Sequence, residues 1–343
     1  MRVHPDPTKF LVASGSKTGE LSIFDASAYA QEWRDGNQNG PTAEEDYCVD
    51  DSIIRSQPHY EAITGMYFSP TDANKLITGS HDGTIRLTDV ESNDVVTSLA
   101  ASENELKLTS LDFTPDQPHT VFFSTYDGHM GYHDIRTSGA CQPTAVYKLG
   151  YAKIGNIAFN PVKPRIFSAS SPNRTVKLWD LRSFKTSIKY EPIHCIELNG
   201  SASSGHWDST GIRMVTTSFE HALRVFDTSA LLAGEVDKNV SIPQISQTGF
   251  HSCRTGQHVT VLQGRFHPDL LVGNRIVTVG DMAWGVRFYS SQTGKPLIDL
   301  KQKKLITCTP SVLAYHPLAY LGTSNFGSGL ACGNATGRVL IMM

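Results

Sequence analysis

Four aspartates, Asp89, Asp134, Asp180 and Asp227, stand 45, 46 and 47 residues apart, and each closes a copy of one template. The template is an apolar stretch, a short turn often holding proline, a second apolar stretch ending in Ser or Gly, a tight turn and a further strand. Its clearest copy runs from Ile63 to Val90 (ITGMYFSPTDANKLITGSHDGTIRLTDV). Copies ending at Arg136, Arg182 and Asp227 follow, an edge copy ends at Asp25, and two looser copies finish the chain, for seven in all. A sustained period near 45 residues marks a repeat architecture, and it limits the fold more tightly than any composition value.

Each copy reads as strands. Thr84-Ile85-Arg86-Leu87 and Thr175-Val176-Lys177-Leu178-Trp179 alternate or carry β-branched residues, as half-buried strands do. His81-Asp82-Gly83 and Tyr126-Asp127-Gly128 are turn signals, because glycine reaches φ > 0 without strain. No segment keeps a 3.6-residue period, which excludes a helical solenoid. One small sheet cannot bury both its faces, so neighbouring sheets must stack, and a closed ring leaves no long free edge. The period and the Trp179-Asp180 ending resemble the WD-repeat family. That resemblance implies an all-β, seven-bladed WD-repeat β-propeller as a single domain over residues 1–343.

Two stretches interrupt the pattern. Residues 26–60 read as an insertion between the first and second blades, acidic at Glu44, Glu45, Asp46, Asp50 and Asp51. Residues 228–258 read as an extended loop before the sixth blade. The first copy begins at Arg2-Val3, inside its own first strand. The expectation is therefore an N-terminally truncated chain with an incomplete closing blade.

The formal net charge of −3 gives no global attraction to polyanions, so any nucleic-acid site must be a local patch. The six cysteines form no CxxC pair, which argues against a compact zinc site or disulfide scaffold. No apolar run is long enough for a membrane helix, and the N-terminus lacks a secretory apolar region. No nucleophile–base spacing, HExxH or phosphate cradle is found, so no enzyme activity and no cofactor are expected. The closing aspartates recur by blade, and a strand-end hydrogen-bonding role accounts for them.

The segment His251-Ser252-Cys253-Arg254-Thr255-Gly256-Gln257-His258-Val259-Thr260, followed by Arg265-Phe266-His267-Pro268, narrows the resemblance. It is similar to a loop of the small subunit of the damage-specific (UV) DNA-binding protein and of its changed-mutation-rate and WD-repeat-76-like relatives. There the pattern is H-x-x-R-x-x-Q-H-x-T and then W-H-P. The resemblance implies a nuclear DNA-binding protein of the damage response, with a preference for UV-damaged duplex DNA. It also implies a substrate receptor of a cullin-4 RING ubiquitin ligase that docks on the large damage-binding subunit and presents chromatin proteins. A protein-only WD-repeat scaffold or receptor without DNA binding is the alternative.

Residue by residue, the resemblance assigns Lys17, Lys153, Arg254, Gln257 and His258 to DNA. Lys17 lies in a β-turn without the glycine spacing of a phosphate loop. Arg254 would supply charge to phosphate, and Gln257 and His258 hydrogen-bonding tips where a base leaves the stack. Gly256 stands where the damage-binding small subunit has an aromatic wedge, which removes a filler for the hole left by an extruded lesion. Arg265, Lys301, Lys303 and Lys304 are further candidate phosphate contacts. Arg182, after Trp179-Asp180-Leu181, and Arg136, after His133-Asp134-Ile135, are assigned to ligase-adaptor docking, where a guanidinium can pair with a carboxylate through two hydrogen bonds.

Overall fold

The computed structural model describes residues 1–6, 9, 11–25, 53–100, 106–137, 142–150, 153–186, 190–233, 240–252, 262–268, 275–301, 306, 309–315, 330–334 and 339–342. These residues form six four-stranded antiparallel sheets and one three-stranded sheet. The first blade is β1 (Arg2–Val3), β2 (Leu11–Gly15), β3 (Leu21–Asp25) and β4 (Ile53–Ser56). The second is β5 (Ile63–Phe68), β6 (Lys75–Ser80), β7 (Thr84–Asp89) and β8 (Val95–Ala100). The third is β9 (Leu108–Thr114), β10 (Gln117–Thr125), β11 (His129–Asp134) and β12 (Ala145–Lys148). The fourth is β13 (Asn156–Phe159), β14 (Ile166–Ser171), β15 (Thr175–Asp180) and β16 (His194–Glu197). The fifth is β17 (Ala202–Trp207), β18 (Arg213–Ser218), β19 (Ala222–Asp227) and β20 (Gln244–Gln247). The sixth is β21 (Arg265–Phe266), β22 (Ile276–Asp281), β23 (Gly285–Ser290) and β24 (Pro296–Leu300). The last sheet is β25 (Pro310–Tyr315), β26 (Leu330–Asn334) and β27 (Val339–Met342).

The innermost strands β1, β5, β9, β13, β17 and β21 follow one another around the ring, and β25 packs against both β22 and β1. The expectation of seven blades is thus corrected: six blades are complete, and the last copy yields three strands, with no partner on the outer edge of β27 among the described residues. The two interruptions are also redrawn. β4 falls inside 26–60 and pairs with β3, so that stretch opens within the first blade rather than between blades; its acidic residues lie outside the described residues. β20 falls inside 228–258 and completes the fifth blade.

Hydrophobic clusters sit between blades, where each sheet buries a face against the next. Between the third and fourth blades Phe122, Phe159, Phe167 and Trp179 are buried together, with Phe122 and Phe159 ring centroids 4.5 Å apart. Between the second and third, Leu111 fills the space over Gly65 and Gly79; a Cβ on Gly65 would lie 2.6 Å from Leu111 Cγ. Small residues on one blade and large ones on its neighbour let the sheets approach at the density of a protein interior.

Blade closure also uses buried polar groups. In the second blade His59 Nδ1 lies 2.9 Å from Asp82 Oδ2 and Nε2 lies 2.8 Å from Thr78 Oγ1, with both ion-pair side chains fully buried. Asp82 Oδ1 also accepts hydrogen bonds from the Thr84 N–H and hydroxyl. Burial opposes ionisation of Asp82, but the hydrogen bonds from His59 and Thr84 outweigh it and hold the carboxyl at about 2. The strand-end aspartates play the expected local role: Asp89, Asp134, Asp180 and Asp227 each accept a backbone N–H two residues on, at 2.9–3.0 Å.

Candidate nucleic-acid interface

Antiparallel order sorts every loop onto one of two rims. The connections between blades and the turns between second and third strands share the upper rim, where inner strands begin. The turns between first and second, and third and fourth, strands share the lower rim. Lys17 lies in the β2–β3 turn and Lys153 just before β13, so both are on the upper rim. The 248–264 connection between β20 and β21 starts and ends there too. Arg254, Gln257 and His258 fall within that connection but lie outside the described residues, as do Gly256, Lys303 and Lys304. Arg136 follows β11 and Arg182 follows β15, which puts both on the lower rim.

Lys17 is exposed at the turn tip. Lys153 is half-buried, with Nζ 4.4 Å from the centroid of the Tyr126 ring. Burial lowers its pKa from the ordinary lysine value; a cation over an aromatic face offsets part of that desolvation. Lys107, which sequence reasoning did not select, precedes β9 as Lys153 precedes β13, and its ammonium pairs with Glu61 at 2.9 Å. Its position before an inner strand was the available signal. The field of Lys107 and Lys153 adds to burial in keeping the pKa of His81 below its usual value. The upper rim therefore gathers several cations although the whole chain is mildly acidic.

His251, the first residue of the loop motif, is buried rather than presented. Its Nδ1 lies 3.3 Å from the Tyr289 hydroxyl, and its backbone N–H donates to the His221 carbonyl at 2.7 Å. Burial brings its pKa down to about 4 against the opposing attraction of Asp281. His251 is thus the anchor of the connection, as His59 is in the second blade. The Arg265 guanidinium donates to Gln263 Oε1 at 3.0 Å, and burial and the nearby Arg2 bring its pKa to about 10. Lys301 is exposed and paired with Asp299 at 2.9 Å.

On the lower rim each arginine folds back on its own strand-end aspartate. Arg136 Nε donates to Asp134 Oδ1 at 2.9 Å, and this bond draws the Asp134 carboxyl down to about 2. Arg182 Nε and Nη2 donate to Asp180 Oδ2 at 3.0 and 2.8 Å. Both guanidinium side chains stay more than half exposed. Among the described residues no group of three His, Cys, Asp or Glu side chains is arranged to hold a metal ion, and no helix is long and apolar enough to cross a membrane.

The chain matches the WD domain, G-beta repeat, family model at residues 52–89 and 142–180. It is 31% identical over 345 residues to the DNA damage-binding protein CMR1 of Coccidioides immitis, covering 97% of this chain and 63% of that protein. It is 29% identical over 364 residues to the CMR1 protein of Phaeosphaeria nodorum, covering all of this chain and 64% of the relative. The chain thus spans somewhat under two thirds of these relatives' length. Among solved structures the β-propeller domain of Myceliophteria thermophila Cps50 (Swd1) superposes with a TM-score of 0.70 at 14% identity, covering 99% of this chain and 94% of that one; at that identity the likeness concerns fold alone. The repeats and the ring of sheets make this chain a WD-repeat β-propeller, and along nearly its whole length it is similar to proteins named DNA damage-binding protein CMR1.

Proposed function

We propose that the chain binds DNA on its upper rim as part of the DNA damage response in the nucleus, without itself being an enzyme. The observation that carries this reading is the placement of Lys17 and Lys153 on the rim from which the 248–264 connection emerges. The names of its relatives support the damage-related part. Each phosphate neutralised releases counterions, so affinity should fall with salt with a log–log slope of about −0.9 per contact. Arg254, Gln257 and His258 would extend the same surface toward the minor groove, and a preference for UV-damaged duplex is the finer part of the proposal.

The lower rim, with Arg136 and Arg182, is proposed to dock the large damage-binding subunit that links to a cullin-4 ligase, leaving the upper rim free for chromatin. The three-stranded sheet β25–β27, packed between the sixth and first blades, is read as a seventh blade with three strands among the described residues. The test of DNA binding is fluorescence anisotropy with intact and lesion-containing duplexes across a salt series. Salt-dependent binding that weakens in a Lys17→Glu/Lys153→Glu variant supports the reading; negligible, salt-insensitive binding returns the chain to the protein-only scaffold. For docking, Arg182→Ala should reduce co-purification with the adaptor, and full retention would reject that role.

A further inference from the structure

Five blades, the second to the sixth, turn from their second to their third strand through a three-residue loop whose last residue has φ > 0; the first blade has a longer loop whose positive-φ residue, Gly19, stands one place before its end. This is the residue for which glycine is the strain-free choice. The first three blades carry Gly19, Gly83 and Gly128 there, with φ of 87°, 78° and 80°. The next three carry Arg174, His221 and Trp284, with φ of 67°, 64° and 62°. The equivalence is fixed by hydrogen bonding: the carbonyls of Gly19, Gly128, Arg174 and His221 each accept an N–H from the chain as it leaves the outer strand, from His59, Leu149, Leu198 and His251 respectively. A left-handed bulky residue is unfavourable by roughly 1–2 kcal/mol, and such strain concentrates where a side chain is needed in place.

A second, independent observation concerns the same rim. Among the described residues four large aromatic side chains are strongly exposed: Tyr60 (65%), Tyr126 (49%), Phe250 (74%) and Trp284 (50%). All four lie in upper-rim loops. The other large exposed hydrophobics among the described residues are aliphatic, and they lie on outer strands or lower-rim loops. Phe250 stacks on His221 at 4.8 Å and 25° between planes, with its own outer side in solvent. The backbone around it is pinned between the fifth-blade and sixth-blade turns by His251 N–H to His221 O and Met282 N–H to Ser252 O. Two of these rings have a nitrogen-bearing side chain against a face: Phe250 lies on the His221 imidazole, and Tyr126 lies under the Lys153 ammonium at 4.4 Å. Isolated aromatic faces beside cations suit bases, which present a planar face and a charged backbone; a protein interface has a contiguous apolar centre.

We propose that Arg174, His221 with Phe250, and Trp284 form an arc over the fourth to sixth blades that stacks unpaired nucleobases, supplying the aromatic surface that Gly256 withholds from the neighbouring loop. The inference rests on the DNA-binding reading above and adds to it the substrate class: DNA with bases out of the stack.

Anisotropy of the full chain tests it with three probes of equal length: an oligo-dT strand, a perfect duplex, and a duplex with a central unpaired bubble. The Phe250→Ala/Trp284→Ala variant is expected to weaken strand and bubble binding about tenfold and duplex binding less than twofold, with the salt slope unchanged. Lys17→Glu/Lys153→Glu is expected to weaken all three and reduce the slope. If the aromatic variant weakens all three equally, or none, the arc is overturned while the DNA reading stands. If the unmodified chain binds none of the probes, the DNA reading fails and the arc with it. Trp284→Gly gives a second readout: melting temperature unchanged or higher, bubble affinity lower, with Trp284→Tyr restoring the affinity. A lower melting temperature for Trp284→Gly, or no recovery with tyrosine, would contradict a stacking role.

Discussion

The second and sixth blades solve the same closing problem with different parts. In the second, His59 reaches Asp82 and Thr78 directly, and the turn ends on Gly83. In the sixth, the corresponding His251 meets the Tyr289 hydroxyl, Asp281 pairs with Arg287 at 2.8 Å, and the turn ends on Trp284. In the second blade the His59 ring is hydrogen-bonded at both nitrogens and the turn between second and third strands ends on glycine. The sixth retains a strained turn, an exposed indole and a histidine whose proton is strongly disfavoured. A ring of similar blades is therefore uneven in its turns: the first three carry glycine at the left-handed position, and the next three carry Arg, His and Trp.

The largest expected effect is on the satisfied side. Asp82→Ala removes one member of a buried pair and should destabilise by about 3–5 kcal/mol in denaturant melts. A change below 1 kcal/mol would show that the pair is dispensable. Next, Gly19→Ala should destabilise by about 2–4 kcal/mol, since its Cβ would meet the His59 carbonyl oxygen at 2.2 Å in a left-handed backbone.

The two blades also separate by pH. The folded-state pKa of Asp82 is depressed, so its contribution is present above about 3.8 and is lost as pH falls toward about 2. The folded-state pKa of His251 is depressed from 6.5 to about 4, so the unfolded chain takes up a proton first, and stability declines as pH falls between those values. Melting temperature against pH should show both slopes, and His251→Asn should make the upper one shallower without abolishing it, because burial also lowers the pKa of His4, His81, His129, His133, His194 and His206. The smallest effect is Trp284→Gly, which should raise stability by up to about 1 kcal/mol by relieving strain, set against the greater freedom of an unfolded glycine.

The fold was largely legible from the inner strands and turns, because those strands are buried and the first three turns carry glycine. The outer strands were not. Ile53–Ser56 and Gln244–Gln247 pack on one neighbour only, and their mostly exposed residues keep no hydrophobic alternation, so they vanished into apparent insertions. Lys17 and Lys153 could be placed on one rim from sequence, and Arg136 and Arg182 on strand ends. That both arginines fold onto Asp134 and Asp180 could not, because the pairing depends on rotamers two residues beyond the strand end. The arc was hidden for the opposite reason to the fold: Arg174, His221 and Trp284 occupy turn positions recognised by glycine, so the signal is the residue's absence.

The central claim is that the upper rim collects dispersed cations into one polyanion-binding mouth. A salt titration of duplex DNA binding by the full chain, compared with Lys17→Glu/Lys153→Glu, tests it most directly. The expected result is a negative log–log slope that becomes shallower by roughly two contacts in the variant. Identical slopes for the two proteins would contradict it.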